Sequence, residues 1–296
     1  MIHRYLSQSI ALALILFVGL VNAAETDQGI FWKATKENQT IYLLGSIHLA
    51  TEDFYPMRPQ IERAYAESDA IAVEADILAA EGDMLLQQKI MMESVYQGER
   101  NLRDDLPPET YKQLQKWIQK HNMPEAMFIR QRPAIAMISM SMVEMQAHGL
   151  NPELGIDRHF LQKAKKDDKP VVELEGVLQQ FQLLNGLDNP ALLLQQTLEQ
   201  LEDISSFLPK LTKAWKDGDE KTLHHLIILD GLNENPEYKP LYDTLFFKRN
   251  ENMAKRISLK APNHSSLFVI VGAGHLVGGG SIVELLKEDG YKLDRI

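Results

Sequence analysis

The sequence predicts an α/β fold with a mixed β-sheet core, flanking helices and a large helical insertion. Three observations lead there. The runs Ile41-Tyr42-Leu43-Leu44-Gly45-Ser46-Ile47-His48 and Leu267-Phe268-Val269-Ile270-Val271-Gly272-Ala273-Gly274-His275 are apolar and each ends on Gly-x-x-His; short runs of this kind, bounded by glycine, read as buried strands. Strand, helix and strand follow one another between residues 41 and 76, the order of a parallel crossover. Strand sequence falls in two blocks, 29–76 and 169–175 with 267–293, and helical sequence lies between. No Ser/Gly linker or low-complexity stretch divides the chain, so residues 25–296 read as one domain.

Taken in order, residues 30–34 alternate loosely as a strand, 36–39 form a polar turn, and the run to Gly45 completes a hairpin. Residues 56–66 read as a helix with proline near its start, and 69–76 as a buried strand ending on acids. From 77 to 149 the pattern is helical: 84–97 has no breaker, Pro107-Pro108 opens a helix reaching Lys120, and 133–148 is apolar. Met137, Met140, Met142 and Met145 in that last helix read as core packing. Residues 155–166 form a short helix and 169–175 a strand. Helices follow at 177–186, 190–206, 207–217, 219–229 and 240–260. The second Gly-x-x-His strand, a helix at 280–289 and a short strand at 291–293 close the chain.

The 296 residues are 45% hydrophobic and 24% charged, enough for a sizeable core. A net charge of −10 without any basic run excludes nucleic acid as a partner. The absence of cysteine removes disulfides, thiolate metal sites and a lipid-anchoring cysteine together. At the N-terminus, Arg4, the apolar run 10–21 and Val21-Asn22-Ala23-Ala24 read as a secretory signal peptide over residues 1–24. The run is shorter than the ~20 residues that span a bilayer; a retained anchor is the alternative. The expected product is periplasmic or secreted, with no stable membrane insertion after cleavage.

Without cysteine, metal chemistry needs imidazole nitrogen and carboxylate oxygen. His48, Glu74 and His275 each stand at or just past a predicted strand end, where open α/β sheets gather ligands. Three protein ligands and an open position suit a metal that activates water for hydrolysis. Glu74 fits as ligand or as general base. Glu173 and Glu175 also end a strand, and Glu173 joins the set as a candidate fourth ligand; orienting a histidine is the other role open to this pair. The competing reading makes the histidines hydrogen-bonded turn residues and the acids helix caps or partners of lysines. Ser46 lies beside His48, but a serine triad also needs a buried acid on the histidine. Gly272-Ala273-Gly274 mimics a dinucleotide fingerprint, with the third glycine misplaced because residue 277 is valine.

Several short stretches, in this order, resemble one family. They are Leu43-Leu44-Gly45-Ser46-Ile47-His48, Ala72-Val73-Glu74-Ala75-Asp76, Gly155-Ile156-Asp157, Lys169-Pro170-Val171-Val172-Glu173-Leu174-Glu175 and Gln180. Trp215 with Gly218-Asp219, Arg249-Asn250, Met253, Val271-Gly272-Ala273-Gly274-His275-Leu276-Val277-Gly278 and Gly290-Tyr291 continue the series. Together they resemble the TraB/GumN family, whose animal relatives are the Tiki metalloproteases. The resemblance implies a sheet built from two related halves, each giving one Gly-x-x-His to a shared site. It implies a divalent metal, manganese or cobalt, with zinc as the alternative, and a peptide or protein substrate. Carried over, His48, Glu74 and His275 become metal and catalytic residues, and Arg249 and Asn250 contacts to substrate or transition state. The expected function is an exported metal-dependent hydrolase acting as a peptidase. The alternatives are a non-catalytic periplasmic protein that sequesters a peptide or haem, and a scaffold whose histidines are structural.

Overall fold

A computed structural model describes residues 27–296; the signal-peptide reading of 1–24 lies outside the described residues. Ile30, Phe31, Ala34, Ile41, Leu43 and Leu44 are wholly buried, and their alternation folds β1 (Ile30–Lys36) against β2 (Gln39–Ser46) as an antiparallel hairpin. With β3 (Ala70–Val73), β4 (Val171–Glu173), β5 (Ser266–Gly272) and β6 (Lys292–Arg295) they make one mixed sheet. Its order is β4-β3-β5-β2-β1-β6. The ladders from β2 through β5 and β3 to β4 are parallel, and those joining β1 to β2 and to β6 are antiparallel.

The crossover from β2 through the helix Pro59–Glu67 to β3 is parallel, as the sequence predicts, but the two strands are not neighbours. β5, from the far end of the chain, lies between them. Its physical reason is composition: Leu267, Phe268, Val269, Ile270 and Val271 all have zero exposure, and a continuous apolar run needs cover on both faces and strands on both sides. The pairing sets Gly45 beside Val271 and Ser46 beside Gly272. Both Gly-x-x-His turns therefore leave the same edge of the sheet.

Helices Pro59–Glu67, Ile156–Lys166, Lys248–Lys260 and Ile282–Glu288 cover the sheet through Ile61, Tyr65, Phe160, Leu161, Met253, Ile257 and Leu286. Helices Pro108–Lys120, Pro133–Ala147 and Pro190–Glu202 hold a second core of Leu114, Trp117, Ile118, Met140, Leu194, Leu198 and Leu201. The helical insertion is thus packed on its own apolar centre. Of the methionine stripe, Met140 is fully buried and Met137, Met142 and Met145 are half-buried.

Among the boundaries that differ from the sequence expectation, three bear on the site. The strand expected over 69–76 stops at Val73, because Asp76 turns back to accept the Ala79 N–H and start the helix Ile77–Gly82. The strand expected over 169–175 keeps three residues. The long helix over 240–260 begins at Lys239 and passes through a π-helical turn, Asp243–Phe247, immediately before Lys248–Lys260. Such turns insert an extra residue and re-aim the face that follows; here that face carries Arg249 and Asn250. Among the described residues, no helix is long and apolar enough to cross a membrane.

Candidate active site

Gly45, the last residue but one of β2, and Gly272, the last of β5, meet different neighbours. A Cβ at Gly45 would lie 2.9 Å from Ile30 Cβ and 3.0 Å from Ala273 Cα, so the turn after β5 packs directly on β2. A Cβ at Gly272 would lie 3.3 Å from Glu74 Oε1, 3.6 Å from His275 Cδ2 and 3.9 Å from His48 Nε2. One point at the end of β5 therefore faces all three side chains, and glycine leaves that point open.

His275 sits in the single turn Ala273–His275 with 5% of its side chain exposed. Its Nδ1 lies 2.6 Å from Asn250 Oδ1, and Asn250 Nδ2 donates to Gly280 O at 2.8 Å. An acceptor on Nδ1 fixes the proton there and aims the Nε2 lone pair forward, toward Glu74 Oε1 at 3.8 Å. Burial pushes His275 down to about 4, aided by Arg249 and opposed by Glu74. It is a neutral imidazole at neutral pH.

Glu74 receives the Gly272 N–H on Oε1 at 2.7 Å. Its Oε2 accepts from Arg249 Nη2 at 2.6 Å and Gln180 Nε2 at 3.1 Å. Burial opposes its ionisation, but His275, Arg249, His48 and the Gly272 amide outweigh burial and hold it at about 2. Arg249 also grips Glu175, Nε at 2.9 Å from Oε1 and Nη2 at 2.6 Å from Oε2, and Gln180 Nε2 reaches Glu175 Oε2 at 3.0 Å.

His48 is the open side of the site, with 63% of its side chain exposed. Asp157 Oδ2 stands 2.8 Å from its Nδ1, and Ser46 Oγ donates to Asp157 Oδ1 at 2.7 Å. The Asp157 charge raises His48 to about 9 against the desolvation that lowers it. Asp157 reaches this position because the Ile156 N–H bonds Ile47 O, docking the start of its helix on the turn. Ser46 is committed to the acid rather than to imidazole Nε2, so the geometry is not that of a serine nucleophile. A pocket of about 240 Å³ opens here, lined by His48, Glu74, Ala75, Ile77, Asp157, Arg158 and Gln180.

Of the residues expected from sequence, His48, Glu74, His275, Arg249 and Asn250 come together. Glu173 is turned elsewhere: its Oε1 accepts the Asp76 N–H at 2.8 Å. Its neighbour Glu175 enters the cluster instead. Asn250 is sealed behind His275 with 1% exposure, so it can position the imidazole but cannot touch a substrate. Among the described residues, no three His, Asp or Glu side chains form a ready metal cage; both Glu74 oxygens are already bonded. Sequence reading gave no role to Asp157, which lies 109 positions from its histidine, or to Gln180, although both stand in the stretches that carry the resemblance. The dinucleotide-like glycines lead into the His275 turn, and the next α-helix after them begins only at Ile282.

The chain is 30% identical over 252 residues to the uncharacterized protein YbaP of Escherichia coli, covering 84% of this chain and 89% of that one. It is 26% identical to metalloprotease TIKI2 of Xenopus tropicalis over 93% of this chain and 61% of that one. For metalloprotease TIKI1 of Homo sapiens the values are 24%, 91% and 62%. It thus spans about three fifths of the length of these TIKI relatives. No solved structure matches. Residues 30–295 fit the model of the TraB/PrgY/gumN family, and with both Gly-x-x-His turns at one sheet edge the chain belongs to that family.

Proposed function

We propose that the chain is an exported, metal-dependent hydrolase that cleaves peptide bonds. The observation that supports this most is the convergence on the Gly272 position of two imidazoles and a carboxylate from three parallel strand ends. The TIKI relatives are named metalloproteases.

The donor set fits a divalent cation of the manganese, cobalt and zinc class: imidazole nitrogen with carboxylate oxygen and no sulfur. His48 and His275 would hold it through Nε2, since Asp157 and Asn250 occupy each Nδ1, and Glu74 would complete the set. Such an ion supplies, when bound, a Lewis acid and an activated water. Arg249 has capacity left for a substrate carbonyl oxygen, because its Nη1 makes only a 3.3 Å contact with Leu245 O. Glu173 has no part in this scheme. A cleaved leader at residues 1–24 would deliver the protein to the periplasm or the medium.

The test is incubation of the purified protein with manganese, cobalt or zinc and a peptide library read by mass spectrometry. Metal-dependent cleavage is expected, abolished by chelator and in His48→Ala and His275→Ala. A second reading, peptide or haem binding without turnover, is favoured by the full engagement of both Glu74 oxygens. Retained peptides or bound-haem absorbance with no cleavage under any metal would decide for it.

A further inference from the structure

We propose that Arg249 is the resident cation of the cleft, a plug that an incoming divalent metal displaces from Glu74 and that Glu175 retains. The inference rests on the metal reading above for the identity of the incoming ion. Arg249 Nε and Nη2 grip Glu175 as a fork at 2.9 and 2.6 Å, the strongest geometry for a guanidinium with a carboxylate. The same Nη2 lies 2.6 Å from Glu74 Oε2, so Glu74 shares a donor that Glu175 already uses. Gln180 Nε2 divides itself between the same two acids at 3.1 and 3.0 Å. Releasing Glu74 thus costs Arg249 one shared contact and leaves its fork intact. Side-chain exposures of 14% for Arg249, 9% for Glu74 and 4% for Glu175 keep these charges little screened. A metal ion and a guanidinium on the same carboxylate would repel strongly there. Arg249 therefore sets how tightly the cleft takes metal, and Glu175 is where the arginine is parked.

The experiment measures manganese(II) binding by isothermal titration calorimetry near neutral pH in the parent, Arg249→Gln, Glu175→Gln and the double variant. Unfolding midpoints with and without manganese run alongside. Arg249→Gln should bind roughly tenfold tighter or more, because a buried like charge is removed. Glu175→Gln should bind severalfold weaker, since the arginine then has only Glu74 to hold. In the Arg249→Gln background the Glu175 change should have no further effect, as no guanidinium remains to be parked. The plug is overturned if Arg249→Gln binds no tighter, or if Glu175→Gln weakens binding by the same factor in both backgrounds. Equal binding by parent and Arg249→Gln removes the plug and spares the metal reading; folded proteins that take neither manganese, cobalt nor zinc in either form remove both. Should Arg249→Gln fail to fold, Arg249→Met takes its place in the same four-way comparison, with the same outcomes for and against the plug.

Discussion

His48 and His275 stand at the same spacing beyond the glycines of two neighbouring parallel strands, yet they are held in opposite ways. His275 is 5% exposed and backed by the neutral amide of Asn250. His48 is 63% exposed and backed by the Asp157 carboxylate. The first is pushed down to about 4 by burial, and the second up to about 9 by the charge beside it. Spacing along the chain places the two imidazoles; burial and the group behind each ring set its proton. A pair split in this way offers one imidazole with a free lone pair and one carrying a proton, facing the same carboxylate.

The largest expected contrast is in stability. His275→Ala removes a buried ring and leaves Asn250 Oδ1 and Glu74 without it, which should cost roughly 3 kcal/mol by the usual scale for a broken buried polar network. His48→Ala touches a mostly exposed side chain and should stay within about 1 kcal/mol. Urea unfolding of both variants checks this. Equal losses would show that His275 is not the structural partner of the two.

Acid should expose the same asymmetry. His275 is held at about 4 against an ordinary 6.5, so the unfolded chain takes up its proton first, and stability is lost as pH falls from 6.5 to about 4. At about 1.4 kcal/mol per pKa unit the loss is on the order of 3 kcal/mol. Glu74, held at about 2 against 4.5, adds a second loss over the range from 4.5 down to 2. His48 works in the other direction: its contribution is complete below 6.5 and fades as pH rises through about 9. Solvent screens that exposed pair, so the alkaline limb should be shallow. In His275→Gln the fall between 6.5 and 4 should flatten; a parent-like acid limb in that variant would refute its assignment to His275.

The two glycines should separate stability from chemistry. Gly45→Ala drives a methyl into Ile30 and the Ala273 backbone and should cost about 1–3 kcal/mol by overpacking. Gly272→Ala meets Glu74 Oε1 at 3.3 Å, the end of a side chain that can shift, and should cost under about 1 kcal/mol. It fills the point on which the three side chains converge, so metal uptake measured by calorimetry should fall in Gly272→Ala and persist in Gly45→Ala. The reverse pattern would move the site away from the end of β5.

Much of this was legible from short patterns. Apolar runs bounded by glycine locate β2 and β5, and proline locates the helix starts at Pro108, Pro133 and Pro190. The placement of β5 between β2 and β3 was not legible, because strand order is settled by burial on both faces and leaves no mark in spacing. Asp157 and Gln180 were not assigned, and Glu175 was read as a metal or histidine partner rather than as the holder of Arg249, for a related reason: each acts on a residue brought close only by the sheet. The π-helical turn before Arg249 has no breaker residue to announce it.

The smallest effect is the most diagnostic, since it exchanges what stands behind the two rings. Asp157→Asn keeps an acceptor for His48 Nδ1 and removes the charge, so the His48 pKa should fall from about 9 toward 6.5. Solvent screening at this exposed ring limits the change to roughly one or two units. Asn250→Asp adds a charge at the buried ring, and His275 should rise from about 4 although burial continues to oppose it. That variant also strips Gly280 O of its donor, so the readout must be the histidine titration itself, followed by the imidazole carbon-bound protons in nuclear magnetic resonance, and not stability. The two rings should move toward each other. If His48 titrates unchanged in Asp157→Asn, the carboxylate is not what raises it, and the contrast between the turns reduces to burial alone.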